Sequence, residues 1–402
     1  MGAIVGTVRR LPRRLPEGLA DIVWLVLVLR VGLSLVGVVL FIGGGLPEPC
    51  NRDLILNPWI RLPQLDNQGI GFPLVGVWQH WDACWYSKIA YNGYEAGVPS
   101  TAFFPLLPLL MAVGSNVLGG DVNLAALVIN GIALVAALFG LRQLVLQDFN
   151  AETADRAVVY QAVFPVAFFF FAPFTEALFL AGCVWALLGA RRRNWLIAAF
   201  AAFLAGLTRP VGLVLILPLG WEALMALRAH WQATGRIGWR DAVPFAAAAA
   251  PLVAYGGYIA FTAAVGEPYV VAYTVFLGHP SILRLPWEAF AVAWDQVVVV
   301  HDVVTLLNLA VIVLFIGLFL AGLRRLPVSY SLLVFTSLVA ILIRDPLYPL
   351  MSATRYCIVL FPCFVVLALA GRRPRFHTAW LALSILFLGL LTTLALQGLF
   401  IA

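Results

Sequence analysis

Twelve apolar runs set the terms on which this sequence can fold. They fall near 22–43, 102–119, 123–146, 157–174, 176–190, 195–208, 210–228, 243–265, 302–323, 328–343, 355–371 and 378–400. An α-helix rises about 1.5 Å per residue and a bilayer core is about 30 Å thick, so about 20 apolar residues cross it. Most of these runs approach that length. The chain is 63% hydrophobic and 11% charged, with mean hydropathy +0.97. A soluble domain has about 45–50% apolar and about 25% charged residues. The expected fold is an all-α polytopic membrane protein, a single integral membrane domain over 1–402. The first run, behind Arg9, Arg10, Arg13 and Arg14, is too long for a signal-peptide core and has no clear small-residue cleavage site. It reads as a retained membrane helix.

The charges predict how the runs cross. Net charge is +6, and the basic residues are all Arg except Lys88. They sit in short clusters between apolar runs, as cytoplasmic anchors do. No zinc-finger spacing or RNP-like motif points to nucleic acid. If all twelve runs crossed from a cytoplasmic N-terminus, Arg191 to Arg193 and Arg372, Arg373 and Arg375 would all lie outside. The run 102–119 contains Pro105, Pro108, Gly114, Gly119 and Gly120, which make a poor spanning helix. If it stays in the outer leaflet, about 11 spans remain, and 17 of the 25 basic residues fall inside. The cytoplasmic N-terminus is then 1–21. A large first outer loop at 44–121 carries interface or re-entrant helices, a second outer loop is 266–301, and the C-terminus lies outside. Short outer segments sit at 208–210 and 344–354.

The polar residues that are not anchors concentrate in those outer segments. Over 78–92, Trp78, Trp81, Trp85 and Ile89 fall at helical spacing and predict one apolar stripe. Asp82 borders that stripe, with Tyr86 beyond it and Lys88 on the other flank. A carboxylate beside three Trp side chains is poorly hydrated, so Asp82 is a functional candidate; a solvated acid on an interface helix is the plain alternative. Arg209 divides two apolar runs just before Pro210, and an Arg at membrane depth suggests a polar cavity. Its alternative is snorkelling to the interface. Arg355 opens a run on the outer side, against the charge rule. It suits a lipid-linked phosphate, whose oxygens match the guanidinium fork, or it pairs with an outer carboxylate. Arg344 and Asp345 are adjacent and can pair with each other. Glu176 either joins a site or caps its helix, and Arg30, inside the first run, has a structural partner or a functional role.

No Cys pair forms CxxC, and the five His do not cluster at metal spacing. Cys183, Cys357 and Cys363 lie in apolar runs and read as packing residues. Cys50 and Cys84 share the first outer loop; a disulfide between them is open, since spacing does not establish one. A divalent cation, Mg²⁺ or Mn²⁺, held by Asp82 with Asp53 or Asp66 is likewise open.

The order Trp81-Asp82-x-x-Trp85-Tyr86-x-x-Ile89-Ala90-x-x-Gly93-Tyr94, then Ala102-Phe103-Phe104-Pro105-Leu106-Leu107-Pro108-Leu109, resembles the PIG-V mannosyltransferase family. Phe174-Thr175-Glu176-Ala177-Leu178-Phe179, Leu207-Thr208-Arg209-Pro210-x-Gly212 and Arg355-Tyr356-x-x-x-x-Phe361-Pro362 continue the resemblance to about residue 370. The first motif is the most specific; the others are short. The compact, Arg- and Ala-rich chain looks like a bacterial member, in a cell membrane. The resemblance implies the wider GT-C-like class of multi-span glycosyltransferases that use polyprenyl-phosphate sugars. It implies transfer of a hexose, mannose in the family, to a lipid, glycan or protein acceptor on the outer face, with inversion. Asp82 would be the base, Arg209 and Arg355 the donor-phosphate ligands, and Trp81, Trp85, Tyr86, Lys88, Glu176 and Tyr94 the substrate pocket. The competing reading from a different class is a multi-span transporter or channel, which the lack of an internal repeat disfavours; a lipid-binding scaffold is a third.

Overall fold

The computed structural model describes residues 16–46, 50, 71–277, 285–343 and 350–401. The described residues are helical throughout, with no strand among them. Six stretches are long and apolar enough to cross a bilayer: Leu19–Ile42, Val122–Val145, Pro210–Thr234, Trp239–Val265, Val303–Gly322 and Pro374–Leu396. The chain is an integral membrane protein. The N-terminal Arg cluster, Arg344, Asp345, Asp53 and Asp66 lie outside the described residues.

In order, the α-helices are α1 (Leu19–Ile42), α2 (Gly71–Leu74), α3 (Asp82–Asn92), α4 (Leu106–Ser115), α5 (Val122–Val145) and α6 (Ala151–Ala162). Then come α7 (Glu176–Arg191), α8 (Trp195–Gly206), α9 (Ile216–Thr234), α10 (Val243–Val265), α11 (Tyr269–Leu277) and α12 (Pro286–Asp295). The last five are α13 (Val303–Gly322), α14 (Val328–Leu342), α15 (Ala353–Ile358), α16 (Phe361–Ala370) and α17 (Pro374–Leu396). At ten residues α4 reaches only about 15 Å.

Two expected spans are interrupted rather than continuous. The run 157–174 stops as helix at Ala162 and continues through a 3-10 turn, Ala167–Phe170. Pro165 and Pro173 explain this, since each lacks an N–H and disfavours helix in the residue before it. The carbonyls freed by the break find donors on neighbouring helices. Arg30 of α1 donates to the Phe171 carbonyl at 2.8 Å, and Asn130 of α5 donates to the Phe174 carbonyl at 2.9 Å. Irregular backbone is tolerated at membrane depth only when neighbours satisfy it in this way. Arg30 is thus a structural residue. The run 355–371 is broken between α15 and α16, with Pro362 in the first turn of α16.

The tightest packing is between α7 and α8, which a three-residue connection joins as a hairpin. Gly182 and Gly189 sit seven apart on α7 and meet Ala198, Ala201 and Ala205 of α8. A Cβ at Gly182 would lie 2.8 Å from that of Ala205. Small residues let two backbones approach where lipid supplies no hydrophobic drive. Farther along, Gly212 lies so close to Ala205 and Gly206 that a Cβ there would sit 2.7 Å from the Gly206 Cα. That contact fixes the Thr208–Pro210 turn against α8.

The bundle has two chemically distinct ends. α7 begins at Glu176, bonded to Arg209 and Arg355, and finishes at Arg191, paired with Asp148. Its 16 residues separate these ends by about 24 Å. The Arg142–Asp155 and Arg156–Glu152 pairs lie with Arg191 at the second end, where Tyr330 links Arg191 to the Leu144 carbonyl.

Candidate active site

α3 begins at Asp82, not at Trp78 as the stripe of aromatics predicts. Trp78 ends a 3-10 turn, and Trp81 takes φ 51° and ψ −119°, a conformation that turns the chain before the helix starts. A bulky side chain at positive φ costs of order 1–3 kcal/mol, and such strain clusters at ligand sites. Nor does α3 lie on an interface with one face exposed: Ala83 to Ile89 are all buried. It packs against α4 and α5. Gln79 donates to Ser87 Oγ at 3.0 Å, and Ser87 donates to Asn123 Oδ1 at 2.7 Å. Cys84 of α3 is disulfide-bonded to Cys50. Helix, preceding turn and α5 are thereby locked together, which holds Asp82 in place.

Asp82 lines a cavity of about 320 Å³. Trp81, Trp85, Tyr86, Arg209 and Arg355 line it too. Beneath this surface sits Glu176, fully buried at the start of α7. Its Oε1 accepts from Arg209 Nη2 at 2.8 Å and from Arg355 Nε at 2.9 Å. Arg355 Nη1 then donates to Asp82 Oδ2 at 2.8 Å. Two carboxylates and two guanidiniums so form one neutral chain: Asp82 comes from the turn that opens α3, and the other three from interruptions of the bundle, the 163–175 break, the 207–210 turn and the short α15. The Asp82 side chain is 24% exposed while Arg355 is at 8%, so the carboxylate is the most open of the charged groups that line the cavity.

The guanidiniums are also held by rings. Arg355 lies 4.6 Å from the Phe174 centroid and 5.1 Å from that of Phe169; Arg209 lies 5.5 Å from Phe179 and 5.7 Å from Tyr356. Arg209 also donates through Nε to Thr175 Oγ1 at 3.0 Å. Its Nη1 and the Oε2 of Glu176 are buried without a hydrogen-bond partner among the described residues. Buried unsatisfied polar atoms are costly, so these two mark where a further polar group would be stabilised.

Sequence reasoning brings together Asp82, Arg209, Arg355, Glu176, Trp81, Trp85 and Tyr86, and the structure clusters all of them. Two other expected pocket residues sit elsewhere. Lys88 is buried on the far side of α3, with its Nζ on Glu95 at 2.9 Å. A long cation at low exposure needs a carboxylate, and Glu95 is within reach where the cavity is not. Tyr94 donates to the Phe103 carbonyl at 2.8 Å and packs on Tyr258 and Phe261. It braces the cavity wall from behind. Phe103, in turn, stacks on Trp85 at 5.2 Å.

The cavity also includes residues that sequence reasoning missed: Tyr269 and Tyr273 on α11, and Phe400 after α17. The two Tyr fall four apart within the expected second outer loop, a helical spacing that could have flagged them. Phe400 sits in a plain apolar run and offers no such signal. Nine of the 19 lining residues are aromatic, enough to give a ring-faced chamber with its charge confined to one wall. Burial, reinforced by the nearby Asp82 charge, holds the Tyr86 phenol well above its ordinary value, so it keeps its proton. Burial pushes His80 down to about 4; it is a neutral packing group behind Trp81.

As a metal site the described residues are poor. They contain no group of three or more His, Cys, Asp or Glu placed to hold an ion. Asp82 carries a guanidinium on one oxygen, and Glu176 is shared by two. The open pairing of Asp82 with Asp53 or Asp66 falls outside the described residues.

No protein-family model matches this chain, and no curated protein sequence matches it. Solved structures similar to it include the oligosaccharyltransferase of Archaeoglobus fulgidus in complex with zinc and sulfate, at 14% identity over 92% of this chain and 53% of that one, TM-score 0.41. The same enzyme tethered to an acceptor peptide gives 14% identity, 93% and 55% coverage and TM-score 0.44. In complex with an inhibitory peptide and a dolichol-phosphate it gives 13% identity, 93% and 55% coverage and TM-score 0.40. This chain spans about half the length of those proteins. The resemblance to PIG-V mannosyltransferases accordingly rests on the motifs that carry it.

Proposed function

We propose that this protein is a membrane glycosyltransferase that moves a hexose, mannose by the motif resemblance, from a polyprenyl-phosphate donor to a hydroxyl acceptor. One observation carries the reading: a part-exposed carboxylate and two buried guanidiniums, joined through Glu176, meet at an aromatic-lined cavity. Each part has a use in that chemistry. Asp82 accepts the proton of the acceptor hydroxyl as its oxygen attacks the anomeric carbon. The bond from that carbon to the phosphate oxygen breaks, and polyprenyl phosphate departs with the electron pair. Arg209 and Arg355 offset the charge growing on the leaving oxygen. A single displacement inverts the anomeric centre. The flat rings of Trp81 and Trp85 suit sugar faces.

Two further observations support a cavity on the outer face of the membrane. Cys84, two residues after Asp82, is in a disulfide, and disulfides persist in oxidising compartments. The Arg-rich end of the bundle, with Arg142, Arg156 and Arg191, lies opposite the cavity, as the positive-inside rule expects.

The test is sugar transfer by purified protein supplied with polyprenyl-phosphate mannose and candidate acceptors. Asp82→Asn should bind the donor but lose about 10²- to 10⁴-fold in transfer rate, the range of general-base catalysis. Arg209→Gln should weaken donor binding itself. Wild-type transfer by Asp82→Asn would remove Asp82 from its role, and unchanged donor affinity in Arg209→Gln would remove the phosphate assignment.

A further inference from the structure

A second cleft, of about 800 Å³, opens at the basic end of the bundle, away from Asp82. Arg325, Arg372 and Arg373 line it, together with Phe149, Leu369 and Phe376. The arginines come from two separate connections: Arg325 follows α13, while Arg372 and Arg373 join α16 to α17. Three like charges brought together by distant chain segments repel unless an anion lies between them. Nearby carboxylates do not supply it. Asp148 is taken by Arg191, Glu152 by Arg156 and Asp155 by Arg142. Among the described residues, none of the three cleft guanidiniums forms an ion pair.

We infer that this cleft binds the headgroup of an anionic phospholipid. Guanidinium forks match phosphate oxygens, and basic pockets between membrane helices hold acidic headgroups. The apolar walls favour a lipid over free phosphate: Phe149, Leu369 and Phe376 suit the glycerol and first acyl carbons, which inorganic phosphate lacks. The position favours it too, because α17 is one of the membrane-length helices and the cleft lies at its first turn. Simple anchoring needs exposed charge alone. It does not need three side chains from two connections around one hollow. A bound headgroup would tie the α13–α14 connection to α16, which follows directly from the helix bearing Arg355.

The experiment uses full-length protein in neutral detergent, titrated with short-chain phosphatidylglycerol, short-chain phosphatidylcholine or inorganic phosphate. Native mass spectrometry reads binding, and thermal unfolding reads its effect. Phosphatidylglycerol should bind and raise Tm; phosphatidylcholine and inorganic phosphate should do neither. The triple variant R325Q/R372Q/R373Q should lose roughly a hundredfold in affinity, about fivefold per guanidinium. R324Q/R375Q removes two exposed arginines at the same end that do not line the cleft, and should stay within about twofold. If the triple variant does not fold, R372Q alone, with a loss of about fivefold, decides the matter. Equal losses per charge in the cleft and control variants would overturn the site in favour of diffuse attraction. Inorganic phosphate binding as tightly as the lipid would overturn it in favour of a free anion.

Discussion

Glu176 is the residue on which the site's geometry turns. Its one oxygen serves two buried guanidiniums, so a change there and a change at Asp82 have opposite signatures. Glu176→Gln leaves Arg209 and Arg355 without their shared counter-charge. Breaking a buried pair from one side costs about 3–5 kcal/mol, and the variant should unfold at a clearly lower temperature in detergent. Asp82→Asn removes a partner that is 24% exposed and leaves Arg355 on Glu176; its Tm should stay near wild type while transfer fails. A Tm loss of the same size in both would mean that Asp82 is another structural counter-ion. Both acids were visible in the sequence as charges in apolar surroundings. Their different duties were not, because burial of Glu176 and exposure of Asp82 depend on segments almost a hundred residues apart.

At the scale of elements, the uninterrupted helices were the legible part. The run 243–265 forms α10 with those bounds, and 123–146, 302–323 and 328–343 are off by a residue or two. Apolar length alone predicts them, since a long oily run has few other folds. The interrupted runs were not legible as such. Hydropathy treats 157–174 as one stretch, yet Pro165 and Pro173 divide it, and Arg30 and Asn130 sustain the break from other helices. Likewise 355–371 reads as one span and is two helices. These breaks carry Glu176 and Arg355 into the interior, so hydropathy failed where the candidate site is built. The aromatic stripe from Trp78 to Ile89 misled for a related reason: helical spacing implies helix only while the backbone continues, and at Trp81 it turns. Lys88 and Glu95, by contrast, could have been paired from sequence, because a lone buried Lys needs an acid nearby.

For the whole molecule, the separation of ends makes an orientation testable. Single cysteines in an otherwise accessible-cysteine-free background, one at Gly97 and one at Arg192, sit at the cavity end and the basic end. A membrane-impermeant thiol reagent applied to intact cells should label the first and spare the second. The reverse pattern would invert the topology and place the cavity in the cytoplasm. Seen across the molecule, the hydrogen bond from Arg355 to Asp82 also has a bearing on timing. A phosphate that recruits this guanidinium draws it from the carboxylate it now holds. In the proposed reaction the base is therefore released by the donor's arrival; without donor, one Asp82 oxygen stays bonded to Arg355. Binding becomes ordered, donor first. Acceptor affinity should then rise when polyprenyl phosphate is present as a donor mimic; an affinity indifferent to it would mean that the two sites load independently.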